Sequence, residues 1–372
     1  MKQLVLVGGG HSHAIALKMY YDNPIKNVKI TLINEVKKTP YSGMLPAHIA
    51  GYYNFHQTHI NLEKLAQKTN SNLMVDQVID INPTQQKVYC LSGNTIKYDL
   101  LSIDIGSTPD DSQIKGAKEY AIRAKPVPTL LEKWEAIIND LNNNPNQNIT
   151  LNIIGGGAGG VELALNMHKR LTDIVTAKQV NINIINRGQV LLNSHNIRAS
   201  KLFNNLLEKK DINIILETEI VEICSDKVIT KKGNIIKGDY TFLVTNASPA
   251  SWLKNTGLSI DKKGFILVKN TLQTLSHDNI FATGDIATIK DNPSPKAGVF
   301  AVRQGKPLYN NWRLLLEGKS LNSYYPQSFY LSLIGTGDKK AVAIWGNCAY
   351  LSKVFWYLKD YIDKKFMEQF SS

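Results

Sequence analysis

Two apolar strands each run into clustered glycines and then a helix-forming stretch, and a small meander follows each of them. Together these features predict an α/β chain of two Rossmann-like dinucleotide-binding domains, three layers each, with a C-terminal α+β interface segment. The first strand, Lys2–Val7, ends in Gly8-Gly9-Gly10-His11-Ser12-His13. The second, Ile149–Ile154, ends in Gly155-Gly156-Gly157-Ala158-Gly159-Gly160. Glycine permits positive φ and close backbone approach, so the N-terminus of the helix that follows can face a pyrophosphate. The second copy satisfies G-x-G-x-x-G through Gly155, Gly157 and Gly160, whereas the first has His13 at the last glycine. One such cluster is a weak signal. Two in one chain form a functional repeat.

At 372 residues, the chain is long enough for two or three domains with sizeable cores. Its 43% hydrophobic and 20% charged content is that of a soluble globular protein. Cys90, Cys224 and Cys348 lie far apart, with neither C-x-x-C nor metal-type spacing. No redox dithiol, disulfide framework or metal site is expected, and a reducing compartment is. The net charge of +12 comes from lysines scattered in short pairs. This pattern reads as a solvated surface that attracts anionic lipid or nucleotide phosphates, not as a nucleic-acid interface. No apolar run reaches membrane-spanning length, and the first one stops at the glycine turn, too soon for a signal peptide. A cytoplasmic location is expected.

In the first unit, Val28–Ile33 is the second strand, closed by Asn34-Glu35. Glu35 stands about 25 residues beyond Gly10, where an acid would hold a ribose hydroxyl. The loop Lys37–Pro46, broken by Pro40, Gly43 and Pro46, either folds over a ligand or simply connects. Asn61–Lys68 reads as a helix and Leu73–Val75 as a strand. Val78–Asn82, Lys87–Leu91 and Thr95–Tyr98 form the meander, and Leu100–Ile105 is a buried strand ending at Gly106. The helix Pro126–Leu141 and the polar linker Asn142–Asn148 lead to the second unit. There the order repeats with Asn181–Ile185, the helix Ser200–Lys210, Ile212–Leu216, a meander over 220–236 and Thr241–Val244. Phe265–Val268 and Ile280–Ala282 precede Thr283-Gly284-Asp285, and a helix runs from near Ala297 to Leu316. Strands Phe329–Ile334 and Ala341–Trp345 and the helix Leu351–Phe370 follow.

The paired glycine units, their meanders and the late Thr-Gly-Asp resemble the two-dinucleotide-binding-domain flavoproteins. These include type II NADH dehydrogenases, sulfide:quinone oxidoreductases, apoptosis-inducing-factor-like proteins and disulfide reductases. The resemblance covers Lys2 to about Leu316. Four strings, Val7–His13, Thr39–Pro46, Lys296–Gly305 and Lys359–Asp363, resemble one subfamily, the FAD/NAD(P)-binding oxidoreductase that also occurs fused ahead of selenophosphate synthetase. No synthetase portion is read in this sequence.

The resemblance implies FAD on the first motif and NADH or NADPH on the second. It divides the chain into an FAD-binding domain in two parts (1–115 and 259–319), an NAD(P)H-binding domain (116–258) and an interface segment (320–372). Gly8, Gly9 and Gly10, with the helix from His11, Ser12 and His13, would cradle the FAD pyrophosphate, and Glu35 its adenosine ribose. Ser42, Val78, Gly106 and Gly284 are implied as further cofactor contacts. Asp285 would accept from the ribityl chain, although read alone it is a turn or N-cap residue. The helix after Lys296-Ala297 would aim its positive end at the flavin, where with Lys296 it would stabilise the reduced ring. Gly155, Gly157, Gly159 and Gly160 would bind the nicotinamide dinucleotide. Glu162 follows where related dehydrogenases place a glutamate near the nicotinamide. It orients the ring or relays a proton there, unless it is an ordinary surface glutamate. Glu162 and Lys296 are the implied catalytic residues.

Three departures stand out. His13 replaces a glycine and either reaches phosphate or flavin or packs in the core. Asp104-Ile105-Gly106 stands where relatives carry Ala-Thr-Gly, with Gly106 keeping the turn. Asn246 replaces a glycine in Val244–Pro249 and is expected in the left-handed region. In the second unit, Asn186-Arg187 offers no acid at the ribose position, and Arg187 would pair with a 2′-phosphate, so NADPH is expected to be accepted.

Disulfide reductases need a cysteine pair beside the flavin, and sulfide oxidoreductases need cysteines that carry sulfur; none of the three here has that spacing. The resemblance then leaves hydride transfer from NAD(P)H to FAD, with electrons passing to an external acceptor, a quinone by analogy. In Leu351–Phe370, apolar residues at 351, 354, 355, 358, 362, 366 and 370 keep helical spacing. This stripe either rests on a membrane surface, making the protein peripheral, or packs on its own interface domain or in a homodimer. The competing readings are a flavin-containing redox sensor with slow turnover and, from the fusion habit of relatives, a selenium-linked reductase.

Overall fold

The computed structural model describes residues 1–371. Lys2–Val7 is the middle strand of a five-stranded sheet, paired in parallel with Val28–Asn34 and Leu100–Ile103. Asn72–Val75 and Ile280–Ala282 complete it at the two edges, also in parallel. A parallel sheet is covered on both faces, which is why its strands read as continuous apolar runs. Being parallel, the strands deliver whatever follows them to one edge: Gly8–Gly10, Asp104–Gly106 and Gly284-Asp285 all lie there. The helix His11–Asp22 packs on Gly298–Leu316, where Gly305 leaves no room for a Cβ against Ile15. Ser12 Oγ ties the two helices by donating to the Ala301 carbonyl at 2.7 Å.

The second unit repeats this design. Ile149–Ile154 lies between Tyr240–Leu243 and Val180–Ile185, with Ala121–Arg123 and Asn213–Ile215 outside them. Asn183 Nδ2 donates to Asn152 Oδ1 at 2.9 Å and Asn213 Nδ2 to Asn183 Oδ1 at 3.0 Å. These amides bridge three neighbouring strands and fix their register. Both meanders form as three-stranded antiparallel sheets. Asn246 departs from expectation, because it is not among the residues with positive φ. Instead it leads into Ala247–Ser248, which pairs antiparallel with Thr108–Pro109 and joins the two units.

The C-terminal segment holds the antiparallel strands Ser332–Gly335, Ala341–Trp345 and Cys348–Ser352, followed by the helix Lys353–Glu368. The helix starts later than Leu351 because Cys348–Ser352 is claimed by strand pairing, and the Ser352 side chain then caps the Val354 N–H. The predicted stripe splits. Phe366 is buried with Asp363 and Met367, whereas Val354 (68% exposed), Leu358 and Ile362 face outward with Tyr357 and Tyr361. Among the described residues, no helix is long and apolar enough to cross a membrane.

Candidate cofactor sites

Gly8 has φ +91°, and a Cβ there would overlap the Asp104 carbonyl, so the turn needs glycine. Its N–H donates to the Ile33 carbonyl, and the Gly9 N–H to Asn34 Oδ1, both at 2.8 Å. Gly10 is the N-cap of the helix and brings no side chain of its own to the helix terminus. A cavity of about 1770 Å³ opens on this turn. Of the residues expected from sequence, Gly8, Gly9, Gly10, His11, Glu35, Ser42, Val78, Gly106, Asp285 and Lys296 all form part of its wall. The opposite wall comes from the second unit, including Lys118, Glu222, Cys224 and Asn246.

Four expected contacts are not part of that wall. Ser12 is fully buried and spent on Ala301. Gly284 (φ +69°) donates its N–H to Gln304 Oε1 at 2.7 Å, and Ala297 caps its helix while Gly298 and Ala301 face the cavity. His13 is also fully buried. Its Nδ1 lies 2.6 Å from the Gly8 carbonyl, which can only accept, so Nδ1 carries the proton and Nε2 accepts from Ser102 Oγ at 2.8 Å. Burial holds the ring neutral, with its pKa lowered to about 4. His13 is thus a peg beneath the turn and not a phosphate ligand. In the second unit the equivalent position is Gly160, where any Cβ would overlap the Gly155 carbonyl.

Asp285 projects into the cavity from the turn after Ile280–Ala282. Burial would raise its carboxyl, yet the charge and hydrogen bond of Lys125 (2.7 Å) and the Ser107 hydroxyl (3.0 Å) hold it below the usual range. Lys125 was not read from sequence, because only the fold brings residue 125 to residue 285. Lys296 lies in the cavity wall behind Asp285. Its ammonium is bonded to the Ala287 carbonyl and Thr288 Oγ1 and lies 4.2 Å from the Phe265 ring centre, so its charge is engaged at the strand Ala287–Ile289. Burial lowers its pKa to about 8. His11 meets Tyr41 edge-on, and Tyr41 stacks on Phe366 of the last helix. Burial lowers the His11 pKa to about 4.

The second turn is separate. Gly155 (φ +124°), Gly157, Gly159 and Gly160 open the helix Ala158–Thr172, and none of them lines the first cavity. Asn186 Oδ1 accepts from the Gly156 N–H at 3.2 Å, the same clamp that Asn34 places on Gly9. Sequence reading missed this pair, although both asparagines directly follow an apolar strand. Arg187 is exposed beside it.

Glu162, on the helix after the second turn, accepts from the Gly335 N–H at 2.7 Å. Burial raises its carboxyl to about 6, against the charge of Lys359 and the Gly335 bond. Lys359 itself bonds Asp363 Oδ2 at 2.8 Å and the Gly43 carbonyl. Burial opposes its charge, yet Asp363 and Glu162 keep its pKa above the usual range. The second unit, the Lys37–Pro46 loop of the first and the last helix therefore meet in one polar cluster.

The sequence profile of the pyridine nucleotide-disulphide oxidoreductase family matches residues 2–305. The chain belongs to this family. It is 23% identical to the NADH dehydrogenase-like protein YutJ of Bacillus subtilis, over 92% of this chain and 91% of that one. It is 25% identical to the type II NADH:quinone oxidoreductase of Haemophilus influenzae, over 87% and 83%. Among solved structures, it resembles the sulfide:quinone oxidoreductase of Aquifex aeolicus (TM-score 0.82, 20% identity, 100% and 91% covered). It also resembles the NDH2 of Plasmodium falciparum in complex with NADH (TM-score 0.78, 15% identity, 99% and 96% covered). Its cofactors are FAD and NADH or NADPH.

The residues present suit these groups. A glycine turn that tolerates no Cβ, a helix without its own cap side chain and the exposed carboxylate of Glu35 share one cavity, as a dinucleotide requires.

Proposed function

We propose that this chain is an FAD-dependent NAD(P)H dehydrogenase that passes electrons to a quinone-type acceptor without a protein disulfide. The observation that carries this reading is the polar cluster of Glu162, Lys359 and Asp363. It joins the helix of the second glycine turn to the last helix and to the loop that borders the first cavity. The relatives named for NADH:quinone chemistry support the acceptor class. The three cysteines, free in the structure, support a route without a disulfide.

In this reading the domains are 1–115 with 259–319 for FAD, 116–258 for NAD(P)H and 320–372 for the acceptor side. The subfamily is the one that also occurs fused ahead of selenophosphate synthetase. Bound FAD supplies hydride acceptance from NAD(P)H and electron delivery to the acceptor. The backbone of Gly8–His11 holds the pyrophosphate, Glu35 the adenosine ribose, and Asp285, kept ionised by Lys125, the ribityl hydroxyls. Gly155, Gly157, Gly159 and Gly160 hold the second dinucleotide, with Arg187 free to meet a 2′-phosphate. Glu162, whose carboxyl burial raises to about 6, would relay a proton to the reduced acceptor, and Lys359 sets its charge. The outward face of Lys353–Glu368 brings the protein to a membrane surface.

Anaerobic mixing with NADH or NADPH, followed by a short-chain quinone, tests the proposal. Bleaching of the flavin absorbance and its recovery on quinone addition are expected. Recovery with none of a panel of quinones would instead favour a redox sensor.

A further inference from the structure

The Asp104 side chain occupies an unusual place. It belongs to the residue immediately beyond the strand Leu100–Ile103 and is 2% exposed. The carboxylate is wedged between two glycines, and a Cβ on Gly10 or on Gly284 would collide with it. Its Oδ2 accepts from the His13 backbone N–H at 3.1 Å, and the Ser12 N–H also bears on it. Gly10 has no side chain with which to cap the helix His11–Asp22, so Asp104 caps it from the neighbouring strand. No salt bridge reaches Asp104 among the described residues.

We propose that Asp104 couples flavin loading to proton uptake: its carboxylate sits at the helix terminus that the dinucleotide's pyrophosphate approaches, and it takes up a proton when those phosphates bind. This rests on the reading that FAD occupies the first cavity. Two anionic groups at one buried helix terminus repel each other, and protonating the carboxyl removes that repulsion. Burial already raises Asp104 to about 7, with the His13 N–H opposing and the Asp285 charge adding. The titratable groups near it are His11 and His13 on the helix it caps and Asp285 on the Gly284–Ile286 turn. Lys125 and Lys296 bear on Asp285. Both histidines titrate near 4 and Asp285 stays ionised, so above neutrality Lys296, at about 8, is the competing titrant.

The test dilutes flavin-loaded full-length protein between pH 6 and 9 and measures released FAD by fluorescence. An indicator dye in weak buffer counts protons. The Kd is expected to rise above pH 7 by up to about tenfold per pH unit, with about one proton released with each FAD. Lys296→Met should keep that slope, and Asp104→Asn should abolish it and bind more tightly at pH 9. A pH-independent Kd without proton release overturns the proposal. So does a slope that vanishes in Lys296→Met. Should Asp104→Asn fail to fold, the wild-type proton count and the Lys296→Met slope decide alone. Protein that holds no FAD at any pH overturns the proposal and the underlying cavity reading together.

Discussion

The carboxylate of Glu162 accepts the backbone N–H of Gly335, and this bond pins the helix of the second glycine turn to the first strand of the C-terminal sheet. Glu162→Gln keeps an oxygen for that bond but loses the titration. The folded chain holds the Glu162 proton up to about pH 6, whereas the unfolded chain releases it near 4.5. Wild-type stability therefore falls, relative to the variant, as pH rises through that window. Denaturant melts at pH 4 and pH 8 should show the variant gaining about 2 kcal/mol on wild type between them. Reoxidation of the reduced flavin by quinone should slow with FAD retained, as read by stopped-flow absorbance.

Asp285→Ala removes a charged acceptor from the cavity wall and leaves Lys125 unpaired. Flavin affinity should drop about 10- to 100-fold, measured as the ratio of flavin to protein absorbance after gel filtration.

His13→Gly gives the first turn the residue that the second has at Gly160, yet it deletes two buried hydrogen bonds and leaves a void beside Trp312. A loss of about 3 kcal/mol is expected in urea melts. The imidazole is neutral in the fold, so its stabilisation is full above pH 6.5 and fades as pH falls toward 4. The deficit of the variant should shrink over that range.

Leu358→Glu with Ile362→Glu places charge on the outward face of the last helix, away from buried Phe366. Co-sedimentation with anionic vesicles should fall several-fold, while turnover with a water-soluble quinone and the Tm stay near wild type. If the face instead closes a dimer, light scattering will show the variant as a smaller species.

Arg187→Asp tests coenzyme choice. An acid at the end of Val180–Ile185 should move the kcat/KM ratio of NADPH to NADH down by about tenfold or more. An unchanged ratio would remove Arg187 from the site.

The strands and glycine turns were legible because a parallel sheet buries both faces and so writes itself as apolar runs. Lys2–Val7 and Ile149–Ile154 start and stop where the sequence places them. Ala121–Arg123 and Cys348–Ser352 were not, since they gain strand character from partners distant in sequence. The same limit hid Lys125 and the Asn34 and Asn186 clamps. In the last helix the apolar spacing was visible, but which side faces the protein was not. That orientation is set by the inward bonds of Lys359 to Gly43 and Asp360 to Tyr53.

The peg of His13 beneath the first turn has no counterpart under the second, where Gly160 fills the place with bare backbone. Both loops are clamped by an asparagine, but only the first is also braced from below, by His13 between the Gly8 carbonyl and Ser102. A lodger that stays through many turnovers calls for the stiffer seat, and a visitor exchanged at each one calls for the looser. On the proposed assignment, the histidine that breaks the glycine rhythm lies under the nucleotide that stays.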